Sequence, residues 1–119
     1  MSKIMYVQTA GTDQPDKLYA PFILATTAAA MDQEAIIYFL IRGITAMKRG
    51  EAEKIKMGDF PSLDKVMEQA NEAGVKMYVC EQSTQMFGLE KGDFVDHVQV
   101  VGAATLNDLA LDADAVISF

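Results

Sequence analysis

The sequence predicts an α/β protein: a three-layer α/β/α sandwich with a mostly parallel sheet of about five strands, forming a single domain over residues 1–119. Three observations predict it. Strand-like and helix-like segments alternate five times and end on a strand, the order that builds βαβ units with helices on both faces of a sheet. Glu34 to Ile41 (EAIIYFLI) is almost continuously apolar, as a strand buried on both faces must be. The 119 residues are 50% hydrophobic and 23% charged, enough for one folded domain without a staple of disulfides or metal.

Each element follows from local chemistry. Lys3–Thr9 is rich in apolar and β-branched residues and predicts the first strand, with turn residues in Ala10-Gly11-Thr12-Asp13. From Lys17 to Met31 the residues Leu18, Phe22, Ile23, Ala29 and Ala30 recur at helical spacing. Pro21 is tolerated only in a first turn, so the helix should open close to it. The small residues Ala25 to Ala30 let that helix lie close against a sheet or a second chain. The second strand is Glu34–Ile41, and Gly43 to Gly50 fits either a short strand or a turn of helix. Glu51 to Phe60 is a polar loop. Ser62 is an N-cap candidate for a helix whose inner face is Leu63, Val66, Met67 and Ala70. Gly74 then supplies the left-handed residue that turns the chain out. Val75–Cys80 is the third strand, and Glu81 to Phe87 is a short helix stopped by Gly88. Val98–Val101, a helix over Ala103 to Asp112, and the strand Ala115–Phe119 complete the order.

Charge narrows the function classes. There are 10 Lys and Arg against 17 Asp and Glu, a net charge of −7, which repels phosphate backbones and argues against nucleic-acid binding. No stretch approaches the ~20 apolar residues of a membrane span, and Met1-Ser2-Lys3-Ile4 has no signal-peptide layout, so the expectation is a cytoplasmic protein off the membrane. One Cys and one His exclude an intrachain disulfide and any zinc site built from several such ligands. No metal and no cofactor is assigned.

Ligands of open parallel sheets bind outside the carboxyl ends of the strands. Three segments qualify: Thr9 to Asp13, Cys80 to Ser83, and Gly102 to Thr105. Cys80 closes a strand and precedes a helix, where backbone N–H groups can stabilise a thiolate. Its candidate neighbours in one cleft are Thr9, Gly11, Thr12, Gln82, Ser83 and Gly102, with the N–H of Gln82 or Ser83 aimed at the sulfur. Cys-Glu-Gln-Ser resembles a Cys-x-x-Cys redox motif whose second thiol is replaced by Ser83. A lone Cys can still carry a persulfide, a mixed disulfide or a sulfenic acid. The alternative is a buried Cys acting as a small hydrophobe, and the adjacent Glu81 carboxylate would raise a thiol pKa. His97 begins the fourth strand, at the opposite end of the sheet from Cys80, which argues against a Cys–His pair. The Thr9–Asp13 turn could cradle a phosphate, but with one Gly and no Lys it matches neither a P-loop nor a dinucleotide fingerprint. A flavin or nucleotide site is suggested by fold analogy alone.

The order of these elements, with Val75-Lys76-Met77-Tyr78-Val79-Cys80-Glu81-Gln82-Ser83, resembles the DsrE/DsrF-like (YchN-like) family of small sulfur-relay proteins. Pro21 to Ala25, Glu34 to Phe39, Gly43 to Gly50, Gly74 to Ser83, Val100 to Gly102 and Leu109 to Phe119 carry the resemblance across nearly the whole chain. It implies a three-layer α/β fold and a homo-oligomer, a trimer first and a hexamer of stacked trimers second. It also implies that Cys80 accepts a sulfane sulfur from a donor protein and passes it to an acceptor protein. The expected function is therefore a cytosolic persulfide carrier or sulfurtransferase-like protein; the alternative is an oligomeric binding or scaffold protein with an inert Cys80. The mean hydropathy of +0.10 in so small a chain independently favours a homo-oligomer. Arg42, Lys48 or Arg49 of a neighbouring subunit could then supply a cation to the thiolate.

Overall fold

The computed structural model describes residues 1–119. Five strands, β1 (Lys3–Gln8), β2 (Glu34–Phe39), β3 (Lys76–Cys80), β4 (Val98–Val101) and β5 (Ala115–Ser118), form one sheet in the order β4-β3-β2-β1-β5. Every neighbouring pair is parallel. The strands end within two residues of their expected bounds. The helices are α1 (Tyr19–Ala30), α2 (Leu63–Glu72), α3 (Glu81–Met86) and α4 (Ala103–Asp112).

Right-handed crossovers explain which face each helix takes. β1, β2, β3 and β4 step across the sheet in one direction, and α1 and α2 pack together on one face. The connection from β4 to β5 runs back the other way, so α4 lies on the opposite face. Residues of β2 alternate accordingly: Ala35, Ile37 and Phe39 join the large core under α1 and α2, whereas Ile36 and Tyr38 join Met5 and Cys80 in a smaller cluster under Leu106, Leu109 and Ala110 of α4. Ala25 and Ala28 of the small-residue helix are buried against the sheet.

One local detail meets expectation and one differs from it. α1 opens two residues before Pro21, preceded by a 3-10 turn at Pro15–Lys17, so the proline occupies a first-turn position. Ser62 stands at the N-cap of α2, but its hydroxyl bonds the Asp64 carboxylate at 2.5 Å rather than a backbone N–H. Gly74 adopts φ +91° and Gly88 φ +64°, ending α2 and α3 as glycines can.

The ambiguous segment after β2 is neither strand nor regular helix. Ile41–Met47 winds as consecutive 3-10 turns, with Ile44, Ala46 and Met47 fully buried. It presses onto the carboxyl end of β1 so tightly that a Cβ on Gly43 would lie 2.0 Å from the Gln8 carbonyl oxygen. It opens on Ile41 at φ +55°, a left-handed conformation that a β-branched residue rarely adopts.

Candidate functional site

Cys80 is the last residue of β3 and the N-cap of α3. β3 fixes it by pairing with Phe39's strand on one side and with β4 on the other, where Cys80 lies opposite Val101. Pleating then turns its side chain toward Met5, Ile36 and Tyr38, on the face that carries α4. The residue is 2% exposed.

The sulfur is nevertheless not in a purely apolar place. Its thiol donates to Oε1 of Gln82 at 3.6 Å. Burial pushes the thiol pKa up, but the Ser83 hydroxyl and N–H, the Tyr38 hydroxyl and the Gln82 N–H stabilise the thiolate more, and the net direction is below the ordinary value. No cation of the same chain is among the groups acting on the thiol: Arg42 lies over the Phe87 ring and beside Asp13, and Arg49 pairs with Asp96. Glu81 is exposed and is not among the groups acting on the thiol.

Two donors around the sulfur are themselves held. Ser83 is fully buried, and its Oγ accepts the Ile41 N–H at 2.7 Å, which leaves the hydroxyl proton free to point elsewhere. The Tyr38 hydroxyl reaches the carbonyls of Gly102 (3.2 Å) and Val101 (3.4 Å), and burial raises its pKa far above the phenolic range, so it remains a proton donor. Gly102 lies beside Gln82, whose Nε2 is 4.0 Å from where a Gly102 Cβ would stand.

Cys80, Gln82, Ser83 and Gly102 are thus brought together, and the hydrogen bond the sulfur makes runs to the Gln82 side chain. Thr9, Gly11 and Thr12 are not part of that group. Thr9 donates its hydroxyl to the Phe119 carbonyl at 2.8 Å and lines a separate cleft of about 350 Å³ with Lys17, Ile41 and Arg42. Gly11 packs against the Arg42 carbonyl and the Thr45 hydroxyl, and the Thr12 N–H donates to that same hydroxyl at 3.0 Å. None of the four clefts in the surface is lined by Cys80. The expectation of an open cleft on the sulfur is corrected here. The Ile41–Met47 turns fill the space between the end of β1 and the end of β3.

His97 lies just before β4, at the amino end of the sheet, away from Cys80 as expected. It is half-buried, its Nε2 has no hydrogen-bond partner, and burial lowers its pKa while Asp96 acts in the opposite direction. Tyr38 and Ile41 are the site residues that sequence reasoning missed. The alternation of β2 places Tyr38 on the same face as Ile36, so its meeting with Cys80 follows once strand order is known. No residue type signals the backbone of Ile41.

The sequence profile of the DsrE/DsrF-like family matches residues 2–119. The chain belongs to that family. Among curated DsrE/DsrF-like relatives, the sulfur carrier protein DsrE2 of Allochromatium vinosum is 26% identical over 152 residues, covering 94% of this chain and 94% of that protein. The uncharacterised protein MJ0760 of Methanocaldococcus jannaschii is 29% identical over 105 residues, covering 88% of this chain. The chain spans only 38% of that relative's length. The fold is shared with the YchN protein of Escherichia coli (TM-score 0.83, 21% identity, all of both chains). It is also shared with MTH1491 of Methanobacterium thermoautotrophicum, at a TM-score of 0.69 and 12% identity over 99% of this chain and 98% of that one. No helix is long and apolar enough to cross a membrane.

Proposed function

We propose that this DsrE/DsrF-like protein is a cytoplasmic sulfur carrier of the relay type, with Cys80 as the sulfur acceptor. The observation that carries the reading is a thiol held below its ordinary pKa at a strand-to-helix junction, in a family that includes a protein named as a sulfur carrier. In the step itself, the Cys80 thiolate attacks the outer sulfur of a persulfide borne by a donor protein or small thiol. A new S–S bond forms at Cys80, the donor's S–S bond breaks, and the donor leaves as a thiolate, so Cys80 is oxidised to the persulfide and the donor sulfur is reduced. Attack by an acceptor thiolate on the outer sulfur reverses this and returns Cys80. Ser83, Tyr38 and the two N–H groups stabilise the attacking and departing thiolate alike.

Incubation with a persulfide donor followed by intact mass measurement tests the reading. An adduct of about 32 Da, one sulfur atom, is expected on the wild type and not on Cys80→Ser. No adduct, or an equal adduct on the variant, refutes it.

We also propose that the protein acts as a closed homo-oligomer, a trimer first and a hexamer second. Val116 and Ile117 of the edge strand β5 are 47% and 42% exposed, and Ile23 and Leu24 of α1 stand at the surface as well. Such apolar surface is uncommon on a monomer. A mass near 13.0 kDa in sedimentation equilibrium would refute the assembly.

One observation favours a second reading, an oligomeric scaffold with an inert Cys80: the sulfur has almost no exposure. A thiol that titrates above the ~8.5 of a free cysteine would support that reading against the first.

A further inference from the structure

A carrier needs its sulfur reachable, yet Cys80 is buried and no cleft leads to it. Something on the sulfur must move. Its polar neighbours differ sharply in how firmly they are held. Ser83 is fully buried and tied to the Ile41 N–H. Tyr38 is fully buried and tied to two carbonyls of the β4–α4 junction. Gln82 is exposed, and the contact of its Oε1 with the sulfur is the one hydrogen bond its side chain makes.

We propose that the Gln82 side chain is the movable cover of the Cys80 sulfur, and that rotation of this one side chain admits the sulfur donor. The proposal rests on Cys80 being the sulfur acceptor. At rest the cover lies beside Gly102, with Nε2 4.0 Å from where a Gly102 Cβ would stand. Exposed side chains change rotamer in picoseconds to nanoseconds, so the cover opens far faster than any transfer step. An amide also suits both states of the sulfur. Its oxygen accepts from the thiol, and a half-turn presents its N–H groups to a thiolate. A carboxylate in the same position has no donor and repels the thiolate.

The rate of Cys80 alkylation by iodoacetamide as a function of pH tests the proposal, and the chain has a single cysteine to report. Two quantities are read, the plateau rate at high pH and the midpoint. Gln82→Ala removes the cover and raises the plateau about fivefold, the change equivalent to one ordinary net hydrogen bond. Its melting temperature falls by no more than about 4 °C, the same hydrogen bond read in stability. Gln82→Glu shifts the midpoint upward. A Gln82→Ala plateau equal to wild type overturns the proposal, and so does an unmoved midpoint in Gln82→Glu. Persulfide loading of the wild type separates this from the carrier reading. Loading with no acceleration in Gln82→Ala overturns the cover alone; acceleration without loading supports the cover and overturns the carrier.

Discussion

Gly43→Ala probes the packing that joins the sulfur site to the rest of the sheet. The added Cβ would lie 2.0 Å from the Gln8 carbonyl oxygen and 2.8 Å from its carbon, both backbone atoms that no rotamer change can move. The two backbones must separate by about 1.4 Å, the gap between 2.0 Å and the 3.4 Å at which ordinary contact begins. That same carbonyl accepts the Leu40 N–H at 3.0 Å, so the bond that ends β2 is strained by the retreat. The turn also carries the buried residues Ile44, Ala46 and Met47, which move with it. Overpacking of this kind costs up to about 3 kcal/mol. At roughly 4 °C per kcal/mol for a domain of this size, the melting temperature should fall by about 12 °C. Urea unfolding measures the loss directly, with an unchanged m-value showing that both end states are preserved. Gly92→Ala is the control, because a Cβ there meets nothing within 4 Å and its effect should stay within about 0.5 kcal/mol. If Gly43→Ala is as mild as Gly92→Ala, the Ile41–Met47 turn does not bear on β1 and the argument for a filled sheet edge fails.

Tyr38→Phe should raise the Cys80 midpoint, because it deletes a thiolate donor, and should cost about 1 kcal/mol for the lost hydrogen bonds; thiolate absorbance, corrected with Cys80→Ser, reads the first and urea melts the second. The folded thiol lies below its unfolded value, so its stabilising contribution is fully present above ~pH 8.5 and disappears as pH falls through the folded midpoint. The stability difference between wild type and Cys80→Ser should therefore grow from neutral pH to pH ~9, and a flat difference would contradict the depressed thiol. Burial likewise depresses His97, whose contribution is present above ~pH 6.5 and lost as pH falls through its lower folded value; His97→Asn should flatten the acid limb of stability, measured by melts between pH ~4 and ~7. Ile41→Asn should gain about 1 kcal/mol in the same melts, since Asn tolerates the left-handed backbone that strains a β-branched residue; a loss of stability would show that the Ile41 side chain contributes more than its backbone costs.

The legible part of the fold was the part governed by periodicity and by special residues. Glu34 to Phe39 is apolar at every position after Glu34, and that alone separates a two-faced strand from an amphipathic helix. Gly74 and Gly88 stop their helices at positive φ, as their residue type announced. Cys80 could be placed at the carboxyl edge because its strand is short and its helix begins at once. Burial of the sulfur was not legible. It depends on the strand order and on α4, which bring Met5, Ile36, Tyr38, Leu106 and Leu109 from distant parts of the chain into one cluster with Cys80. Grouping Thr9 to Asp13 with Cys80 failed for the same reason. Both lie beyond carboxyl ends of strands, but β2 and its following turn stand between them.

The strand order also bears on how the chain assembles as it is made. β1 is an inner strand, yet its two partners are synthesised far apart: β2 follows directly after α1, whereas β5 comes only after every other element. Pairing of Ile4 with Ala115 and Tyr6 with Ile117 spans almost the whole sequence. At about 5–20 residues per second, the outer edge of β1 stays unpaired for several seconds after β2 has docked. During that interval Ile4 to Val7 present an apolar, hydrogen-bonding edge to anything nearby, including a second nascent chain. Contacts of such long range slow the closing step itself. Yield from the ribosome is therefore more sensitive to changes in β5 than the modest burial of that strand in the finished fold suggests.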